Sequence, residues 1–266
     1  MTENQLVSVI VPTKNSEATI EKCLRSIRNQ SYPKVEIIVV DSFSGDKTRE
    51  IAENYGARII LAQAKRSEAR NKGVEKAGGG FVFFADSDME LDFSVIAECV
   101  NKIREGSGAT IIPEVSVGEG FWAKCKALEK TCYIGDDAIE AARFLKRSIF
   151  ESISGYDPVL EAGEDWDLNQ RIRKAGYSIG RTNAFIRHHE EKLTLRKTVL
   201  KKRNYGKTLK YYKMKHPKEA SMQLRLIRPS FMANWRKLAK DPAHAFGMFF
   251  MKTCEFIAGW IGSVEL

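Results

Sequence analysis

Phe81-Val82-Phe83-Phe84-Ala85-Asp86-Ser87-Asp88 is an apolar run that ends abruptly in two carboxylates one residue apart. Such a run reads as a buried strand. Carboxylates about 4 Å apart repel by roughly 1 kcal/mol in bulk water and by about 4 kcal/mol at an effective dielectric near 20. A fold that sets them at a strand end needs a positive charge there. A divalent cation with oxygen ligands supplies one, and such ions bring phosphates with them. The stretch points to a metal-assisted enzyme acting on a nucleoside-diphosphate compound. Asp-x-Asp alone is common by chance, and an Asp capping a helix over 93–104 is the plain alternative.

Upstream, the pattern is regular. Residues 6–11 form a strand ended by Pro12, and a helix follows from Ser16 with Ile20, Leu24 and Ile27 at helical spacing. A second strand, 35–40, ends at Asp41; 46–55 is helical, 57–61 is a third strand, and a helix over 67–77 stops at Gly78-Gly79-Gly80. The alternation predicts an α/β fold with a mainly parallel sheet and crossover helices. Ligands of such sheets bind beyond the carboxyl ends of the strands. Pro12, Asp41 and Asp86/Asp88 all follow strand ends and are expected at one edge. Downstream, strands are expected at 110–113, 141–144 and 184–187, with helices at 119–131, 147–152 and 163–175.

The 266 residues, 43% of them hydrophobic, suit one large domain with an appendage. The five cysteines are odd in number, scattered and without a CxxC pair, which argues against a zinc cage or a disulfide framework. They read as reduced core residues of a cytosolic protein. The polar start Met1–Gln5 lacks the apolar region of a signal peptide. The net charge of +9 is unevenly spread: residues 1–191 hold 26 basic and 30 acidic side chains, whereas 192–240 hold 16 basic and 1 acidic. This asymmetry points to an anionic partner, a nucleic acid or a membrane surface, and divides the chain into a domain at 1–191 and a basic, amphipathic helical extension at 192–266.

Several constellations carry chemistry. Asp41, in Asp41-Ser42-Phe43-Ser44-Gly45-Asp46, can accept hydrogen bonds from a nucleobase or ribose; ordinary turn chemistry explains the same residues. Arg66 and Arg70, four apart near a helix start, make an anion site or a solvated face. Gly163-Glu164-Asp165-Trp166-Asp167 opens a helix whose acids and later Arg171, Arg173 and Lys174 complement its dipole. Asp165 shares the face of Leu168 and Ile172, at the edge of an inward stripe, whereas Asp167 is expected to point away. A partly buried carboxylate has a raised pKa and serves as a general base. His188 or His189, beside Glu190 and Glu191, reads either as a metal or phosphate ligand or as structural.

In order, Val9-Ile10-Val11-Pro12-Thr13-Lys14-Asn15, Asp41-Ser42-x-Ser44-x-Asp46-x-Thr48, Ala69-Arg70-Asn71-x-Gly73, Asp86-x-Asp88 and Gly163-Glu164-Asp165 resemble the inverting family 2 glycosyltransferases of the GT-A fold, over about residues 6–190. The resemblance implies a nucleotide-sugar donor held by Pro12, Thr13, Asn15, Asp41, Ser42, Arg66, Arg70 and Asp86. It implies Mn2+ or Mg2+ at Asp86, Asp88 and His188, and Asp165, with Glu164 beside it, deprotonating the acceptor hydroxyl. Single-step inversion rests on the resemblance. Lys14 and Ser87 depart from the usual residues at their positions, and Lys14 leaves the base open.

In the extension, Lys and Arg alternate with Leu, Val and Tyr over 192–218, and 246–261 is very apolar yet too short and too charged to span a membrane. His244, Lys252 and Glu255 form a narrow polar stripe, as in a helix lying in a membrane interface, anchored by Trp235 and Trp260. Packing on the catalytic domain or a homo-oligomer contact explains the same pattern. A membrane-facing acceptor site implies a polyprenyl phosphate or a lipid-linked saccharide, met by Trp166, Lys201, Lys202, Arg203 or Tyr205. The chain is expected in the cytoplasm, peripheral at the inner membrane face. A sugar nucleotidyltransferase shares such a sheet but needs a Gly-rich loop after the first strand, which is absent. A membrane or nucleic-acid binding module accounts for the basic segment but leaves the acidic strand ends unexplained, so no nucleic acid is expected.

Overall fold

The computed structural model describes residues 5–190 and 193–265. The boundary expected at 191/192, Glu191 and most of the polar amino terminus lie outside the described residues. In chain order, β1 (Val7–Thr13), α1 (Ile20–Arg28), β2 (Val35–Asp41), α2 (Thr48–Asn54), β3 (Arg58–Leu61), α3 (Arg66–Glu75) and β4 (Phe81–Phe84) alternate as the hydrophobic pattern predicts. There follow β5 (Met89–Leu91), α4 (Val95–Arg104), β6 (Ala109–Ile111), β7 (Glu114–Val117), α5 (Phe121–Tyr133), β8 (Ala142–Lys146), α6 (Arg147–Ser152), α7 (Glu164–Lys174), β9 (Ile179–Arg181) and β10 (Ile186–His189). The last part is helical: α8 (Leu195–Lys215), α9 (Pro217–Gln223), α10 (Pro229–Ala233), α11 (Trp235–Lys240) and α12 (Pro242–Val264).

Packing divides the chain into two compact units, 1–113 with 141–158 and 168–187, and 114–140 with 159–167 and 188–266. The charge pattern draws one cut near 191. Packing instead assigns 114–140 and 159–167 to the second unit, because these segments bury their apolar faces against the late helices.

The first unit is built on a seven-stranded sheet of order β3-β2-β1-β4-β8-β6-β9. Its first four strands are parallel, β8 runs antiparallel to both neighbours, and β9 is parallel to β6. Period-two alternation feeds two cores. Val9, Val11, Ile37, Val39 and Phe83 pack with Ile20, Leu24 and Ile27 of α1 and Val95 and Cys99 of α4. Ile10, Ile38, Val40, Val82 and Phe84 pack with Ala69 and Val74 of α3 and with Leu168 and Ile172 of α7. Helix α3 approaches the sheet through Gly73, where an added Cβ would lie 2.3 Å from Ile10 Cγ2. Gly73→Ala is expected to lower stability by about 1–3 kcal/mol through overpacking, measured by urea unfolding.

The second unit gathers Cys125, Cys132, Tyr133, Phe231, Met248 and Met251 into one core, and Leu160, Tyr212 and Ala220 into a smaller one. Helices α8 and α12 meet backbone to backbone. A methyl on Gly206 would lie 2.2 Å from Gly259 O, and one on Gly262 would lie 1.8 Å from Arg203 O. Small residues permit such crossings.

Candidate active site

Strand register builds the site in the first unit. Thr13 lies opposite Asp41 across β1 and β2, and Ile10 opposite Phe84 across β1 and β4. Ala85 N–H donates to Ile10 O at 3.1 Å. Asp86, Ser87 and Asp88 therefore leave the sheet at the carboxyl edge where Thr13 and Asp41 end.

The loops at that edge are tied together. Asn15 has φ +48°, a left-handed conformation that Asn tolerates. Its N–H donates to Ser44 Oγ at 2.8 Å, and its Oδ1 accepts from Gly45 N–H at 2.9 Å. Ser42 N–H donates to Thr13 O at 2.9 Å, and Ser87 Oγ to Ser16 Oγ at 3.0 Å. Asp41 is fully buried and accepts from Ser44 N–H at 2.8 Å and Ser44 Oγ at 2.5 Å. Turn chemistry thus occupies part of this carboxylate, which has about four acceptor positions in all. Pro12 and Ser42 are half-buried, and the buried Thr13 Oγ1 has no hydrogen-bond partner.

Arg70 is wholly buried, donates from Nη2 to Asp86 Oδ1 at 2.9 Å, and lies 4.9 Å from the centre of the Tyr156 ring. Arg143 Nη1 stands 3.6 Å from Asp86 Oδ2. Arg66 is exposed. Of the two arginines four apart on α3, Arg70 is buried against the sheet and Arg66, at the first helical position, is exposed. Arg143 escaped the sequence reading. Its signal is a lone cation inside the apolar run Ala141-Ala142-Arg143-Phe144-Leu145.

In the second unit Glu164 is buried, Asp165 and Trp166 are half-buried, and Asp167 is fully buried. Asp167 does not point away, as the helical spacing suggested. Lys215 Nζ and His216 Nε2 each lie 2.8 Å from its Oδ1. A helical wheel of α7 cannot reveal partners that come from α8. Trp166 Nε1 donates to Ile139 O at 2.8 Å. His188 and His189 are half-buried at the end of β10.

On α8, Lys201 is exposed, Lys202 and Tyr205 are half-buried, and Arg203 donates from Nε to the Glu265 carboxylate at 3.0 Å. The polar stripe of α12 faces inward, not toward a solvated or lipid surface: Lys252 and Glu255 are buried, whereas Phe246 is 76% and Trp260 60% exposed. Glu129 on α5 accounts for this inversion, since Lys252 Nζ lies 2.9 Å from its carboxylate. Among the described residues no helix is long and apolar enough to cross a membrane.

The sequence profile described as "Glycosyl transferase family 2" matches residues 8–153, more than half of the chain. The chain belongs to glycosyl transferase family 2. This family 2 member is 28% identical over 192 residues to a Haloferax volcanii protein named Glycosyltransferase AglE, covering 65% of this chain and 63% of that one. It is 35% identical over 166 residues to a Campylobacter jejuni protein named GalNAc(5)-diNAcBac-PP-undecaprenol beta-1,3-glucosyltransferase, covering 55% and 53% respectively. The chain thus spans less than two thirds of the length of either relative. A solved structure, mannosyltransferase PcManGT from Pyrobaculum calidifontis in complex with GDP-Man and Mn2+, superposes with TM-score 0.69 over 99% of this chain and 88% of its own, at 19% identity. The fold is GT-A.

The donor set of this family 2 member suits one kind of metal. Among the described residues no three His, Cys, Asp or Glu side chains group as a cage. Asp86 is shared with Arg70 and Arg143, and Asp88 is the second carboxylate at the same strand end. One or two carboxylates suit a hard ion that keeps waters and takes its other ligands from a diphosphate. Cys23 offers no soft ligand: burial, then the charges of Asp88 and Asp86, push its thiol far up, so it stays protonated.

The second unit of this family 2 member also buries an ion network. Lys126 Nζ lies 2.8 Å from Glu129 and 3.7 Å from Glu255, and Lys252 Nζ lies 3.1 Å from Glu255. Lys202 of α8 lies within the field of these lysines and glutamates. Burial lowers its pKa from 10.5 to about 8; Glu255 opposes the shift, while Lys126 and Lys252 add to it. Below about pH 8 the ammonium is present folded and unfolded, and its burial cost stands in full. Between about 8 and 10.5 the unfolded chain holds a proton that the folded chain has released, so stability rises with pH across that window. Lys126, raised chiefly by Glu129 against the effect of burial, acts only above its ordinary value. Lys202→Met is expected to raise stability at pH 7 by about 1 kcal/mol, allowing for solvent screening. Thermal unfolding should show the gain shrinking toward pH 10.5.

Proposed function

We propose that this protein transfers a sugar from a nucleoside-diphosphate sugar to the hydroxyl or phosphate of a lipid-linked acceptor, with inversion at the anomeric carbon. The observation that carries the reading is the meeting of Thr13, Asp41 and Asp86–Asp88 at one carboxyl edge of a parallel sheet. Asp41, Thr13 and the loop held by Asn15 and Ser44 receive the nucleoside, and Asp86, fixed by Arg70, receives the ribose. Mn2+ or Mg2+ would be held by Asp88 with Asp86 and would neutralise charge on the departing diphosphate. Asp165 takes the proton of the acceptor oxygen as that oxygen bonds to the anomeric carbon. The bond from that carbon to the diphosphate oxygen breaks, and its electron pair leaves with the nucleoside diphosphate.

The lipid part of the reading is supported by the undecaprenol named for the Campylobacter relative and by exposed Phe246, Phe250, Phe256, Ile257 and Trp260 on α12 beside the basic α8. Aromatic side chains on one side and Lys and Arg on the other suit the surface of an anionic bilayer. The same surface supports a peripheral location at the inner membrane face. A second copy of the chain is the other occupant this face suits.

The test is a panel of UDP- and GDP-sugars, read by thermal stabilisation with and without Mn2+, followed by transfer to a polyprenyl phosphate and a lipid-linked saccharide. Metal-dependent stabilisation by one donor and inverted product are expected; a panel without any response overturns the reading. Sedimentation with anionic vesicles tests the surface. Phe250→Ser with Trp260→Ser is expected to weaken binding at least about tenfold, in keeping with two aromatic side chains withdrawn from lipid. Unchanged binding, or a dimer that persists without vesicles, would count against the bilayer.

A further inference from the structure

We infer that the last turn of α8 is the seat of the catalytic segment: Asp167, held by Lys215 and His216, positions Glu164 and Asp165 without touching substrate. The inference rests on Asp165 being the base.

Residues 163–167 are gripped from several sides within the second unit. Gly163 has φ +78°, and a Cβ there would lie 3.1 Å from Tyr212 Cγ. Asp167 N–H donates to Gly163 O at 2.8 Å, closing the first turn of α7. The Trp166 ring is 5.8 Å from that of Tyr212, which is 5.1 Å from the His216 ring. Tyr212 is anchored in turn: its hydroxyl donates to Gln223 Oε1 at 2.5 Å, and Gln223 Nε2 donates to Ala138 O at 2.6 Å. Tyr212 and His216 are almost fully buried.

Helix geometry turns this grip into positioning. Residues two apart on a helix point about 200° apart. With Asp167 drawn inward to α8, Asp165 is directed to the opposite side, in keeping with its half-burial. A buried carboxylate beside a cation such as Lys215 is seldom a net gain over apolar packing, so orientation is the function such a group serves well. Side chains that hold a reacting group in place influence rate steeply, and a misplacement of about 1 Å costs on the order of 100-fold.

The experiment compares full-chain Asp167→Asn, His216→Ala, His216→Gln and Lys215→Ala with Asp165→Asn, measuring kcat, donor KM, donor-induced thermal shift and Tm. Asp167→Asn and His216→Ala are expected to lower kcat about 10- to 100-fold with donor KM changed by less than about twofold. His216→Gln, which keeps a donor near the Nε2 position, is expected to restore most of the loss. Parental kcat in folded Asp167→Asn and His216→Ala overturns the inference, as does a loss of donor binding in step with kcat, the mark of a merely structural role. If neither folds, Lys215→Ala, altered at an exposed residue, decides: lowered kcat at constant KM supports the seat and parental kcat overturns it. Full activity in Asp165→Asn removes the base reading itself, whereas an inactive Asp165→Asn beside unaffected Asp167 and His216 variants removes only the seat.

Discussion

Asp165→Asn is expected to lower kcat about 10²- to 10⁴-fold, the range for removal of a general base. The amide keeps the shape of the carboxylate and its capacity to accept a hydrogen bond, but it cannot take the acceptor's proton. Donor binding is assigned to Thr13, Asp41 and Asp86 in the first unit, so nucleotide-sugar stabilisation should stay at the parental level. Glu164→Gln is the companion variant, since Glu164 is the more buried of the two acids. A larger loss there than in Asp165→Asn would move the base to Glu164. Rates measured by nucleoside-diphosphate release at saturating donor and acceptor decide the matter, and an Asp165→Asn enzyme with parental kcat would sink the assignment.

The second large effect is expected at Asp88. Asp88→Asn removes the second carboxylate of the Asp86-Ser87-Asp88 strand end and should reduce transfer about 10²- to 10³-fold, the scale set by loss of one group that stabilises developing charge. It should also abolish the dependence of donor-induced thermal stabilisation on Mn2+. Asp86→Asn should behave differently. Arg70 is wholly buried and would lose one carboxylate partner, and weakening the pairing of a buried charge is destabilising. Lowered Tm is therefore the signature of Asp86→Asn, and lost metal dependence that of Asp88→Asn. Metal-dependent stabilisation that survives in Asp88→Asn would overturn the ligand assignment.

The parallel half of the sheet was legible because its signal is local. Val7–Thr13, Val35–Asp41 and Phe81–Phe84 are mostly apolar, broken by Ser8 and Glu36 before the polar residues that close them, as strands buried on both faces read. Strands β5, β7 and β9 were not anticipated. Each has three or four residues and a mixed pattern, such as Ile179-Gly180-Arg181, too short for periodicity to register. The strand-end acids were legible by the same logic as the strands. The partners that determine what each acid can do were not: Arg143 is 57 positions from Asp86 in sequence, and His216 is 49 from Asp167. Helical spacing assigned Asp167 to solvent because it describes one helix at a time. The polar stripe of α12 was misread for that reason too, since Glu129 lies on another helix and turns the stripe inward.

Gly206 and Gly262 bring α8 and α12 into main-chain contact, and Arg203 of α8 pairs with Glu265 just past α12. Packed this closely, the pair is expected to tilt together. A fluorophore in place of Trp260, at the outer rim of α12, would therefore report the tilt of the lysine-rich rod as faithfully as a label on that rod itself.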